Sequence, residues 1–386
     1  MKNNFINLKI ATVARYHDRY FLTALKWNAL FVYMKEANRL FYLDSFQLKR
    51  EAFCMYIRSF IYKEEIWFLP AEAENIAILN INNLKIEYIP INYHEEDCIS
   101  EFKYNNFIRF NNHYVCFIPR GVKEAVIINM ETKSVEKYYQ LAVQKEEFQN
   151  AVLIDNVLHF YPWKGSWKVS LDLISGKMSY QKWENKEDYG DAVYNKKVGN
   201  IIHAPARKNC VLIEDVRGNI LKEKKVDCPS DNSGYHTFYS SISDEEIIFW
   251  GTKGAVFVDS RNCDIRYSNI REDADDGILI PIDSCVKEAY VFGGNQIFQY
   301  DNDQKKYVST EIVMTIENLM TQLKRRGKNL YELYRFTEHS FEIENNPLTL
   351  RNFFYLLDWD SLKDCVHMGK HRTLSQLNDL SVLFSI

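Results

Sequence analysis

The chain has 386 residues, is 46% hydrophobic with 24 Phe, 25 Tyr and 7 Trp, and carries a formal net charge of −4. That apolar and aromatic content supports a large core and excludes a disordered chain, while 14 Gly and 8 Pro exclude a fibrous repeat. The acidic balance excludes a nucleic-acid polycation, and no run reaches the ~18 unbroken apolar residues of a membrane span.

The opening MKNNFINL has no apolar signal core, and the first repeat-like unit follows at once, with Phe21 heading RYFLTALKWNALFVYMKEANRLFYL and Thr23 where later units carry proline. Three clearer units come next, headed by Phe68, Phe117 and Phe160, each with a proline two residues on at Pro70, Pro119 and Pro162. A fourth keeps the spacing with His203 and Pro205, His203 standing in the aromatic slot as a core residue. Thirteen residues after each of these prolines lies a turn position: Asn83, Thr132, Ser175 and Gly218. Phe249 and Phe292 head two weaker units, so the heads recur every 43 to 49 residues, seven times in all.

Each unit divides into four short runs rich in Val, Ile, Tyr and Phe. In the third they are Asn106–Phe110, His113–Ile118, Ala125–Met130 and Ser134–Gln140. A period near 45 with four strands per unit predicts a propeller blade, since one blade cannot bury both faces and a ring of them can. A helical solenoid would need apolar spacing of 3.6 residues, whereas IAILNI and AVIINM are nearly continuous buried strands. The expected fold is all-β: a seven-bladed propeller over residues 9–312 and a helical tail over 313–386.

In that tail Thr315 caps a helix with Ile316, Leu319, Met320 and Leu323 on one face and Gly327 as its stop. Asn346-Pro347 opens a second helix, and Leu374, Leu377, Leu380, Leu383 and Phe384 form a third apolar pattern. Such helices either guard the seam of the ring or dock a second copy.

The loops between second and third strands share one face of a propeller with the loops entering the next blade. They carry Lys26, Trp27, Arg120, Lys123, Trp163, Lys164, Trp167, Arg207 and Lys208, opposed by Glu72, Glu74 and Glu124. Guanidinium forks and indole faces together suit an anionic peptide, a glycan intermediate or a partner protein. The inter-blade loops are acidic instead, with Glu95-Glu96-Asp97, Glu146-Glu147, Glu187-Asp188 and Glu272-Asp273, and none has the spacing of a calcium loop. Eight scattered cysteines without C-x-x-C read as reduced structural thiols, which with the absent signal segment sets a cytoplasmic expectation. No nucleophile elbow, metal spacing or phosphate loop is present, so neither metal nor cofactor is expected.

The F-x-P frame at Phe68, Phe117 and Phe160, with the strand and turn that follow it, resembles bacterial seven-bladed propellers of the kelch-like and quinoprotein-like superfamily. The chain departs from true kelch repeats in lacking their double glycine, and from WD repeats in lacking Gly-His and Trp-Asp pairs. The resemblance implies an accessory of biosynthetic enzymes acting on glycans or modified peptides. The leading expectation is therefore a non-catalytic binding or scaffold propeller, with possible self-association through the tail. The alternative is a carbohydrate-active lyase or hydrolase whose residues converge on the central channel from separate blades.

Overall fold

In the computed structural model the described residues are 5–47, 52–92, 102–141, 146–183, 189–205, 209–227, 239–271, 277–283, 285–328 and 333. Seven four-stranded antiparallel sheets follow one another, each built from four consecutive strands. Their first strands are Ile10–Tyr16, Tyr56–Tyr62, Tyr104–Phe110, Glu147–Ile154, Tyr189–Asn195, Tyr239–Ile242 and Ile278–Ile282. These first strands contact one another in order, and the strand of blade 7 returns to that of blade 1, so they form the inner wall of a closed ring.

The proline frame has a physical cause. In blades 2, 3 and 5 the second strand ends at Pro70, Pro119 and Pro205, and in blade 4 Pro162 stands two residues before its end. Each proline is opposite an aromatic of the inner strand: Tyr56, Tyr104, Phe148 and Tyr189. That aromatic packs on the head residue two positions before the proline, with ring centroids 5.7, 5.6, 5.7 and 6.3 Å apart. Just after the aromatic the inner strand shifts register in all four blades. A residue without an N–H is tolerated where the ladder is already interrupted.

The predicted turn positions also have a cause. Asn80, Asn129, Asp172 and Asp215 end the third strands, and each side-chain oxygen accepts backbone N–H groups two to four residues ahead. These Asx turns start the return strand.

Two weak units need correction. In blade 1 Arg19–Ala24 occupies the place of Glu65–Pro70, with Phe21 opposite Val32 as Trp67 is opposite Ile78. Leu22 thus holds the aromatic slot and Ala24, not Thr23, the proline's. In blade 7 Ala289 pairs with Phe298 as Phe68 pairs with Ala77, so the head is Ala289 and Phe292 lies three residues beyond it. Small or aliphatic residues fill the slot there, which is why the aromatic search slid off register.

The ring closes without exchanging a strand between blades. Phe5–Asn7 pairs with Val313–Thr315 in a separate two-stranded sheet, and the Ile10 backbone exchanges hydrogen bonds with Gly293 and Gly294. Arg15 of blade 1 pairs with Glu288 of blade 7, and the Tyr290 hydroxyl donates to the Ala11 carbonyl at 3.1 Å. The helix Ile316–Arg325 follows, with the Thr315 hydroxyl accepting from the Asn318 N–H and Gly327 at φ +63° behind it, as expected. Ile316, Leu319 and Leu323 join the core of blades 1 and 7, and Gln322 accepts the Tyr42 N–H of blade 1's outer strand. This helix therefore covers an exposed sheet edge. The helices expected from Asn346 onward lie outside the described residues.

Candidate axial site

The inner strands bring together a set of buried polar side chains that the loop-based reading missed. At the level of the register shift stand Thr12, Arg58, Asn106, Asn150, Asp191 and Tyr239, one from each of blades 1 to 6, all less than 9% exposed. Three share a local device: the side-chain oxygens of Asn106, Asn150 and Asp191 accept the next backbone N–H at 2.9, 2.8 and 3.0 Å. This bond fixes the bulge and leaves the rest of each side chain to reach sideways. Asn106 donates to Asn150 at 3.5 Å and Asn150 to the Ala192 carbonyl at 2.6 Å, which links blades 3, 4 and 5.

Other contacts cross the axis, because they join blades that are not neighbours. The Tyr239 hydroxyl of blade 6 donates to Asn105 of blade 3 at 3.0 Å. Arg58 of blade 2 lies over the Tyr239 ring, 4.7 Å from its centroid, and 5.7 Å from that of Phe107. Towards the far ends of the inner strands Arg109 of blade 3 pairs with Asp283 of blade 7 at 3.1 Å and donates to the Ile61 carbonyl. The axis is thus spanned at two levels.

Two groups in the upper set are incompletely matched. Arg58 is 5% exposed, yet its Nη1 has no hydrogen-bond partner and no carboxylate of the described residues forms an ion pair with it. A guanidinium stays charged in any protein, so its burial against two ring faces alone is costly. Asp191 is fully buried with Oδ2 unpartnered. Burial pushes its carboxyl up to about 7, against the lowering effects of Ser240, the Ala192 N–H, Arg58 and Asn150. Burial also raises the Tyr239 hydroxyl, opposed by Arg58 and by Arg120.

A second buried charged cluster lies between blades 4 and 5, away from the axis. Glu214 Oε1 accepts from the Tyr161 hydroxyl at 2.9 Å and from Lys168 Nζ at 3.3 Å, and His203 Nε2 lies 3.2 Å away. Tyr161, Trp183 and His203 pack edge to face around the carboxylate, and Lys168 sits over the Tyr161 ring at 4.6 Å. Burial works to raise the Glu214 carboxyl, but His203, Lys168 and Tyr161 outweigh it and hold it at about 2. His203 is core, as its slot predicted. A small cleft of about 100 Å³ opens beside this cluster, lined by Trp183, Lys182, Gln181 and Ile220.

The loop-face residues that lie among the described residues differ in exposure and partners. Trp27, expected to offer its indole face, is 1% exposed and packs edge to face on Phe31 at 5.9 Å. Arg120 is paired with Glu147 of the next blade at 3.4 Å and lies over Phe102. The carboxylate of Glu146 accepts the Ser166 N–H, tying the Trp163–Trp167 hairpin down. Thus Glu146 and Glu147 tether loops rather than simply facing solvent. Lys26, Lys123 and Trp163 are half-buried, and Trp167 is the exposed indole at 41%. Lys164 ends the second strand of blade 4. Arg207, Lys208 and the other acidic loops lie outside the described residues. Cys54, Cys116, Cys210 and Cys263 are free thiols, and no group of metal-binding side chains occurs among the described residues.

The sequence did carry a signal for the axial set: an aromatic, any residue, then a polar one. It appears as Tyr56-Ile57-Arg58, Tyr104-Asn105-Asn106, Phe148-Gln149-Asn150 and Tyr189-Gly190-Asp191, four blades in succession and 12 to 14 residues ahead of each head. Attention to the heads and loops passed over it.

These features define a seven-bladed β-propeller with a polar axis. No family model matches the chain, and no curated protein does. Among solved structures it is similar to virginiamycin B lyase from Staphylococcus aureus, with a TM-score of 0.55 and 14% identity over 80% of this chain and 98% of that one. A catalytically inactive histidine-to-alanine form of that lyase was solved with quinupristin. PorZ, a surface component of the type-IX secretion system of Porphyromonas gingivalis, aligns with a TM-score of 0.53 and 11% identity over 81% of this chain and 39% of its own. Hydrazine synthase from Kuenenia stuttgartiensis aligns with a TM-score of 0.52 and 8% identity over 79% of this chain and 96% of its own. At such identities the likeness is one of fold.

Proposed function

We propose that this protein is a binding propeller that takes a small polar ligand bearing an anionic group on its axis. The carrying observation is Arg58, a buried guanidinium in a girdle of amides and hydroxyls with ring faces but no carboxylate as partner. An acceptor supplied by a ligand would complete its hydrogen bonding in a low-dielectric setting, where such bonds are strong. The loop face then serves as the surface presented to a partner protein, with Trp167 as its exposed anchor. This keeps the scaffold role that the kelch-like resemblance implies but moves recognition of small molecules to the axis.

An enzymatic use of the same site has one observation in its favour. Asp191 has its carboxyl near neutrality and stands close enough to influence Tyr239, which gives the axis a proton acceptor beside a donor. The lyase among the similar folds agrees with that use without requiring it.

The test is recovery of the native ligand. Protein purified from its own cells is denatured, and the released small molecules are identified by mass spectrometry, alongside Arg58→Met treated identically. A compound released stoichiometrically by the wild type and absent from the variant supports the axial site. A compound retained equally by both, or none from either, sinks it.

A further inference from the structure

The axial girdle leaves two atoms unmatched, and they are of opposite kinds. Arg58 Nη1 is a donor without an acceptor, and Asp191 Oδ2 is an oxygen without a donor. They belong to the inner strands of blades 2 and 5, which are not neighbours in the ring, so the axis lies between them. They influence each other electrostatically yet form no ion pair. The remaining polar groups of the girdle have partners within the fold, Thr12 with the Thr23 hydroxyl at 3.1 Å. Tyr239 donates to Asn105, Asn106 to Asn150, and Asn150 to the Ala192 carbonyl.

A simple anion would satisfy Arg58 and leave Asp191 facing a second negative charge. A simple cation would do the reverse. Both atoms are completed together only by a molecule that carries an acceptor and a charged donor a short distance apart. Resting on the axial reading above, we propose that the ligand is a small zwitterion of the α-amino acid class, its carboxylate on Arg58 and its ammonium on Asp191. The guanidinium, held now by the faces of Tyr239 and Phe107, exchanges them for the carboxylate, and its flexible stem permits the movement. Asp191 Oδ1 stays on the Ala192 N–H, so Oδ2 is presented by a fixed backbone. The raised carboxyl of Asp191 agrees with this, because an ammonium beside it would restore the ionised form.

The experiment is a thermal-shift and calorimetric titration of the full chain with free α-amino acids and with their deamino counterparts, such as alanine against propionate. The expected result is that one or more amino acids raise the melting temperature by roughly 4 °C at saturating concentration while the matched deamino acids do not. Arg58→Met and Asp191→Asn should each weaken binding by roughly 100-fold, the cost of leaving one buried partner unpaired. Arg58→Lys, which keeps the charge, should recover part of it, and the unliganded melting curve of each variant verifies folding. If deamino acids bind as well as amino acids and Asp191→Asn behaves as wild type, the zwitterion is overturned while an axial anion site stands. If no amino acid shifts the wild type, or the shift survives in Arg58→Met, the inference fails whatever compound native purification recovers.

Discussion

Among the described residues, two of the buried charged clusters are satisfied to different degrees. Between blades 4 and 5, Glu214 meets Lys168, Tyr161 and His203 at once and lies within a cage of rings. On the axis, Arg58 and Asp191 each keep an atom without a partner although both are more deeply removed from solvent than most charged residues. Burying ions is costly in either place, but in the first cluster Glu214 and Lys168 are paired as charges within the fold, although neither ring nitrogen of His203 has a hydrogen-bond partner. The difference lies in the charges: in the first the carboxylate and the ammonium meet each other, while on the axis the guanidinium and the carboxylate form no ion pair.

The largest effect should come from breaking the charge-paired cluster. Glu214→Ala leaves Lys168 and His203 buried without their carboxylate and should cost about 3–5 kcal/mol in urea unfolding. A loss below about 1 kcal/mol would show that the cluster relaxes to solvent through the cleft beside it. Acid should attack the same interface next. The folded Glu214 carboxyl is held near 2, below its ordinary 4.5, so its contribution is present above pH 4.5 and is lost as pH falls towards 2. The neighbouring His159 is pushed down by burial and by Lys168 to about 4, below its ordinary 6.5. Its contribution is full above pH 6.5 and fades as pH falls to 4. In an Asp191→Asn background, which removes an opposing titration in the same window, stability measured from pH 7 to 3 should therefore fall in two stages, and Glu214→Gln should flatten the lower one.

Asp191 should show the opposite slope. Its folded carboxyl stands near 7 against an ordinary 3.8, so the folded state holds a proton that the unfolded chain has released between those values. Its ionisation therefore costs stability as pH rises from about 4 to 7. Asp191→Asn keeps the acceptor for the Ala192 N–H and removes that cost. The variant should gain roughly 1–3 kcal/mol on the wild type between pH 4 and pH 7.5. Parallel pH profiles for the two proteins would place Asp191 in a wetter setting than its burial implies.

Much of this architecture was legible from the residues, and the reasons are local. The proline frame, the Asx turns and the Thr315 cap each satisfy a backbone requirement within a few residues, so they leave a periodic trace. The head in blade 7 was not legible, because Ala289 fills with a small side chain the slot that Phe68 fills with a ring. The loop face was read from composition alone, and composition cannot show that Glu147 already neutralises Arg120 or that Trp27 turns into the core. The axial set depends on closure of the ring: only then does Arg58 meet Tyr239 from a blade 181 residues away in sequence. Its aromatic-x-polar trace was visible, but nothing in one strand says that its edge faces an axis.

The smallest effect on stability should come from Arg58, one of the two residues proposed to hold the ligand. Arg58→Met removes a charge that forms no ion pair, although it acts at a distance on Asp191 and Asp283, and places an adaptable thioether between the rings of Tyr239 and Phe107. The lost cation–π attraction is worth about 1–2 kcal/mol when desolvated, and relief from burying an unpaired ion opposes it. The net change in unliganded stability should stay within about 1 kcal/mol by urea unfolding. A large loss would mean that Arg58 props the axis open as a structural strut, in the manner of Glu214 between the blades. Near-neutrality, with Glu214→Ala strongly destabilised under the same conditions, would mean that the fold carries Arg58 for something it meets on the axis.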